Sequence, residues 1–357
     1  MDNGKKSRNP SMDIIRCFAL FCVIGVHFFL YSGFYDISVN SLSMFLLTLI
    51  RNFFMICVPL FIVLSGYLLR NKLPSIGYYL RIVRILSIYV LASFCCAIYR
   101  YNFTFTEFSM IGAIIDTILG IFSYSTAPYG WYIEMYLGLF LLIPYLNILF
   151  KQLPSKKHKN YLLAFLVFLT AGSSLNYIKL FPTYWASMYP ITYYLIGSYL
   201  AEYPLKIRKS SNLLLIGLLL IISGSVSFYH SNGSTFMWSH WSGHASLVTT
   251  LQTILVFTFL AQRNYTRLSS KSGNFLSHIS NCCLGAYLVS WIFDDIFYRI
   301  LNSYQSTLLS KSGFFIPITI AVYVCSLLLS AALNFIYNLT IKKMITHLWP
   351  RKPAAIS

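Results

Sequence analysis

An ionisable side chain inside an apolar stretch is costly to bury in a bilayer, so in a chain this apolar it is the first place to look for chemistry. Arg16 and His27 are the best-placed pair. They share one apolar stretch and lie eleven residues apart, which at 100° per residue is three turns plus about 20°. On a helix they would share a face, separated by roughly 16 Å along the axis. A neutral imidazole with a pKa near neutrality can take a proton from an alcohol. Plainer roles also fit: Arg16 as a flank that snorkels to the headgroups, and His27 as an interhelical hydrogen bond.

The elements that must position these residues follow from composition. The chain has 357 residues, of which 57% are hydrophobic and 10% charged, whereas a soluble domain is about 25% charged. That excludes a water-facing enzyme, a disordered chain and a secreted disulfide scaffold. A hydrocarbon core about 30 Å thick needs roughly 20 apolar residues per helix. Such stretches occur near 12–32, 44–69, 82–99, 131–150, 160–177, 187–203, 212–230, 245–262, 279–300 and 314–341. The stretch near 110–124 is shorter, carries Asp116 and precedes the turn-like Ala127-Pro128-Tyr129-Gly130, so it is expected to be re-entrant or interfacial. The fold expected is an all-α polytopic bundle of about ten transmembrane helices. Residues 12–341 would form one membrane domain between cytoplasmic tails at 1–11 and 342–357.

Net charge is +18, from 27 Lys and Arg against 9 Asp and Glu. With ten spans and both termini inside, every Lys and Arg except Arg51, Arg100, Lys179, Arg299 and Lys311 falls in a cytoplasmic segment, as the positive-inside rule requires. An eleventh span at 110–124 would destroy that asymmetry. The basic excess is therefore an orientation signal, and no nucleic-acid partner is expected. The first stretch is long, contains Arg16 and His27 and lacks a small-residue cleavage pattern, so it is expected to remain as a span. The eight cysteines lie in or beside apolar stretches without metal spacing and read as reduced packing residues. No linker is long enough for a water-soluble catalytic domain, and no internal repeat is evident.

The order of motifs is more specific than any of them alone. Arg16-x10-His27 is followed by Pro59-Leu60-Phe61 and Ser65-Gly66-Tyr67-Leu68-Leu69 in the second stretch. Arg81-Ile82-Val83-Arg84 comes next, and Gly130-Trp131-Tyr132 opens the fourth stretch. This order resembles the membrane acyltransferase-3 family, bacterial multispan proteins that acylate cell-surface carbohydrates. The resemblance runs from about Met12 to the last span. It implies an inner-membrane O-acyltransferase that moves an acyl group, usually acetyl from acetyl-CoA, onto a hydroxyl of a glycan or its lipid-linked precursor. One departure is Ser290: many relatives carry a histidine there, after the pair equivalent to Tyr287-Leu288.

Under that resemblance Arg16, Arg81 and Arg84 would hold the phosphates of the donor, since guanidinium forks bind phosphate in pairs. His27 would be the base toward the acceptor hydroxyl, and both direct transfer and an acyl-histidine route fit. Arg51, near the outer end of its span, would either snorkel or contact a carboxylate or acceptor phosphate. Glu134 would support catalysis, by pairing with Arg51 or His27 or by orienting the sugar. Trp131 and Tyr132, beside Tyr129, fit an aromatic belt, and such faces also stack on sugar rings. Asp294 and Asp295 precede Arg299, and a local ion pair accounts for them. His230, His240 and His244 lie in one loop without a carboxylate or cysteine, so a sugar-facing loop is expected there and no metal site. The competing reading is a transporter or flippase of lipid-linked glycans, with the same arginines on pyrophosphate.

Overall fold

The computed structural model describes residues 9–104, 109–172, 182–238, 241–263, 265 and 269–348. Lys5, Lys6, Arg8, Lys179, His240, Arg267, Arg351 and Lys352 lie outside the described residues. In chain order the helices are α1 Pro10–Tyr31, α2 Leu42–Phe54, α3 Cys57–Leu69, α4 Ile76–Tyr79, α5 Ile82–Phe103, α6 Met110–Phe122, α7 Trp131–Gln152 and α8 Lys156–Gly172. They continue with α9 Tyr189–Glu202, α10 Lys209–Ser231, α11 Leu247–Ala261, α12 Ser270–Tyr304, α13 Leu308–Ser312, α14 Phe315–Leu339 and α15 Ile341–Leu348. Among the described residues the only β-pairing is two isolated bridges, Ser38 with Thr235 and Val39 with Asn232.

All ten expected stretches contain a helix, but they are not equivalent. Among the described residues seven segments are long and apolar enough to cross a membrane: those built on α1, α2 with α3, α4 with α5, α7, α10, α12, and α14 with the start of α15. The other three, α8, α9 and α11, have 17, 14 and 15 residues, below the roughly 20 a perpendicular helix needs. With 13 residues, α6 is too short to cross, and most of its surface is exposed.

Local chemistry explains the breaks. Pro10 occupies the first turn of α1, and the Asn9 side chain accepts from the Ser11 amide at 3.0 Å, a cap suited to orphan helix donors. The second span breaks at Met55 and Ile56. Pro59 has no N–H to offer the Met55 carbonyl four residues earlier, and the His244 imidazole takes its place, with Nδ1 donating to that carbonyl at 3.1 Å. The Ser65-Gly66 step allows a close crossing. A Cβ at Gly66 would lie 1.9 Å from the Tyr194 carbonyl oxygen, and one at Gly197 would lie 2.0 Å from that of Val63. α3 and α9 therefore meet backbone to backbone, as small residues permit.

The organising element is α12, whose 35 residues extend about 52 Å and so overreach the hydrocarbon core. It packs along α14 and α1. Ser280, Asp294 and Tyr298 turn toward α1, where they meet Arg16, His27 and Tyr31 respectively. A cluster of Phe28, Phe29, Phe34, Phe54 and Phe315 seals the bundle beyond His27.

Candidate active site

His27 Nδ1 lies 2.9 Å from Asp294 Oδ2, across 267 residues of sequence. The Tyr129 hydroxyl donates to the same oxygen at 2.7 Å, and Tyr31 meets Tyr129 hydroxyl to hydroxyl at 3.1 Å. The Tyr129 ring also lies against the imidazole, with centroids 4.2 Å apart. Both His27 and Asp294 are buried, at 9% and 0% exposure. A carboxylate at Nδ1 holds the proton on that nitrogen and leaves the lone pair on Nε2, the arrangement a general base needs.

Two backbone features deliver Tyr129 to this pair. Tyr124 adopts φ 57°, in the left-handed region. At Gly130 a Cβ would lie 2.5 Å from the Tyr124 carbonyl oxygen and 2.9 Å from that of Ala127. Only glycine closes this turn into α7.

The local ion pair expected between the Asp294–Asp295 pair and Arg299 forms through Asp295 alone, and the acid beside His27 is Asp294 in place of Glu134. Arg299 Nη2 pairs with Asp295 at 2.8 Å, and Tyr99 donates to the same Asp295 carboxylate at 2.7 Å. Neighbouring helix positions differ by 100°, so Asp295 faces α5 while Asp294 faces α1. The Glu134 side chain is exposed, and it forms no ion pair among the described residues. Its first-turn position on α7 complements the helix dipole.

Three adjoining cavities run inward from the Arg84 end of the bundle; His27 lines none of them, and the innermost is lined by Tyr287, whose ring lies 5.8 Å from that of Tyr129. The outermost, about 510 Å³, is lined by Arg84, His278, Asn281, Asn334, Asn338 and Lys342 among others, and by no acid. It shares Arg84, Asn281 and Asn334 with a second cavity of about 230 Å³, which Arg16 and Ser280 also line. The second shares Arg16, Ile85 and Leu284 with a third, apolar one of about 240 Å³. This last follows α3 along Val58, Phe61, Ser65 and Leu68 and is also lined by Tyr132 and Tyr287. Val58 to Leu69 is three helical turns, roughly 16 Å, the same rise as from Arg16 to His27. Polarity thus falls with depth along this path.

Arg16 is held in place: its Nη1 donates to Ser280 Oγ at 2.6 Å and lies 3.5 Å from Asp13 Oδ1, a buried acid that sequence reasoning overlooked. Arg84 Nη2 reaches Asn334 Oδ1 at 3.4 Å. Arg81 caps α5, is exposed, and lines none of these three cavities.

Arg51 is fully buried rather than snorkelling. It donates from Nε to Tyr35 and from Nη1 to Asn52 Oδ1 and the Ser242 carbonyl, at 3.1, 3.1 and 2.7 Å. Trp238 and Phe236 cover it, with ring centres 4.2 and 4.8 Å from Cζ, a cation–π roof worth more when desolvated. Among the described residues no acid pairs with it, and Nη2 has no hydrogen-bond partner. Trp131 is 41% exposed and lies parallel to His244, with centroids 6.4 Å apart. Tyr132 instead turns inward, into the apolar cavity.

Burial pushes the loop residue His244 down to about 4, with the Arg51 charge acting in the same direction and the Met55 carbonyl opposing. Its folded value is below the unfolded one, so loop packing is complete above about 6.5 and weakens as pH falls toward 4. Tryptophan emission should therefore change with a midpoint near pH 4, and His244→Gln should abolish the change. A midpoint near 6.5 would mean the imidazole is open to water.

Among the described residues no group of His, Cys, Asp and Glu is placed to hold a metal ion. A buried His–acid pair and a cation-lipped apolar cavity thus occur together inside a bundle of membrane-length helices, which defines an integral-membrane protein. The chain belongs to the acyltransferase-3 family: the family's acyltransferase-domain model matches residues 9–335, nearly its whole length. Acyl transfer is that family's chemistry. No curated protein and no solved structure matched the chain.

Proposed function

We propose that the protein is a ten-span, N-in/C-in O-acetyltransferase of a bacterial inner membrane. It takes acetyl from cytoplasmic acetyl-CoA and delivers it to a hydroxyl of a surface glycan or its lipid-linked precursor. The observation that carries this reading is the run of three cavities, polar and acid-free at Arg84 and apolar toward Tyr132 and Tyr287. Acetyl-CoA has the matching gradient, with phosphates at one end and a long, thin arm ending in the thioester. Arg84, Lys342 and Arg16 would take the phosphates as charge-assisted hydrogen-bond donors, with exposed Arg81 an outer contact. The arm would follow α3 toward His27. A transporter has no need of a buried, hydrogen-bonded His–Asp pair.

The acceptor enters from the other end, where exposed Trp131 and Glu134 offer a sugar an aromatic face and a carboxylate. Arg51, enclosed by Trp238 and bonded to Ser242, clasps the loop that borders this side. His27 Nε2 then removes the acceptor proton as its oxygen attacks the thioester carbon. Asp294 stabilises the imidazolium that forms.

The test is mass spectrometry of surface polysaccharide from cells with and without the gene. A mass difference of one acetyl group per modified residue is expected, with normal glycan quantity; loss of the glycan itself would favour a flippase. In membrane vesicles Arg84→Gln should raise the acetyl-CoA KM about tenfold, the scale of one charged hydrogen bond, with little change at saturation.

A further inference from the structure

Among the described residues, nine buried side-chain nitrogen or oxygen atoms have no hydrogen-bond partner. Only one of them, Tyr287 Oη, belongs to a residue that lines the passage. An unpaired phenol in an apolar interior is unfavourable. Such a group makes sense where a bond absent at rest forms during turnover.

Its position fits one such bond. Tyr287 precedes Asp294 by seven residues on α12, two turns along nearly the same face. Its ring lies 5.8 Å from that of Tyr129, whose ring lies 4.2 Å from His27, so the Tyr287 ring is no more than about 10 Å from the imidazole. A base, an attacking oxygen, a carbonyl carbon, an oxyanion and a donor in sequence occupy about 8 Å. Of the other nearby hydroxyls, Tyr298 Oη also lacks a partner, but Tyr298 lines none of the three cavities. Tyr129 donates to Asp294, and Ser290, where relatives carry histidine, donates to the Tyr287 carbonyl at 2.9 Å. The rival is Tyr132, whose ring meets that of Tyr287 edge-on at 5.5 Å.

We propose that Tyr287 donates the hydrogen bond that stabilises the oxyanion formed when the acceptor hydroxyl attacks the donor thioester. This role rests on the acyltransferase reading above. The acceptor oxygen forms its bond to the carbonyl carbon and gives its proton to His27 Nε2. The C=O electron pair moves onto oxygen, where the Tyr287 O–H meets it. When the pair returns, the C–S bond breaks and the departing thiolate takes the proton from His27, leaving ester and free CoA thiol. The phenol keeps its proton throughout.

The experiment uses full-length protein in membrane vesicles, radiolabelled acetyl-CoA as donor, and membranes from cells lacking the gene as acceptor source. Tyr287→Phe should lower the saturating rate by on the order of 10²–10³-fold, the usual loss for one oxyanion donor. The acetyl-CoA KM should hold, and so should the melting temperature, because the lost hydroxyl has no partner in the resting protein. Tyr132→Phe should stay within roughly tenfold of wild type, below the loss expected for such a donor. A Tyr287→Phe rate near wild type, a raised KM alone, or a large loss in Tyr132→Phe instead would overturn the assignment. If wild-type vesicles transfer no label, the acyltransferase reading itself falls, and the role of Tyr287 with it.

Discussion

His27→Gln is expected to reduce acyl transfer by at least about 10²-fold, the low end of what a positioned general base supplies, while the protein inserts normally. Glutamine is the informative replacement because its amide can still donate toward Asp294 Oδ2, the bond now made by Nδ1 at 2.9 Å, yet it has no titratable nitrogen. Alanine would leave Asp294, at 0% exposure, with the Tyr129 hydroxyl alone, and uncompensated buried charge is destabilising. The checks are glycan acetyl content by mass spectrometry and protein level in the membrane. Wild-type acetylation in His27→Gln cells would remove the imidazole from the mechanism.

Asp294→Asn is expected to be nearly as damaging, with a loss of about 10²–10⁴-fold, by analogy with amide replacement of the acid in a hydrolase triad. An asparagine can turn its NH₂ toward Nδ1, which then becomes the acceptor and moves the proton to Nε2. That tautomer cannot receive a proton from the acceptor hydroxyl. Because the two residues act as a unit, His27→Gln combined with Asp294→Asn should be little worse than the more damaging single change, a non-additivity measurable in vesicle assays. Additive losses would mean that Asp294 serves some other group. The nearby acid supplies a control: Asp295→Asn removes the charge paired with Arg299 and one of the two oxygens that accept from Arg299 and Tyr99, and should leave the rate within roughly threefold of wild type.

Much of this was legible in the residues. Apolar length located a helix in each expected stretch, of which seven among the described residues are long and apolar enough to span, and helical arithmetic put Arg16 and His27 on one face of α1. Asp294 was less visible because Asp295 and Arg299 offered each other a sufficient local explanation. The missed signal was that adjacent acids on a helix point 100° apart, so one arginine four residues on accounts for one of them. Glu134 attracted attention as a rare intramembrane carboxylate, but depth alone says nothing about which way a helix is turned. Arg51 was flagged by standing against the charge rule. Its aromatic roof comes from a loop almost 190 residues away, and no periodicity encodes such a meeting. Tyr287 could not have been found from sequence, because its defining property is a missing partner.

The three-turn interval from Arg16 to His27 also makes the protein a gauge of length. On the proposed reading, the groups that recognise the donor and the group that uses it are separated by roughly 16 Å of helix. A reactive but short acyl donor, such as acetyl phosphate, could satisfy one end or the other and never both. Discrimination would then depend on reach more than on reactivity, and the anionic part of the donor would never have to enter the membrane for its acetyl group to cross.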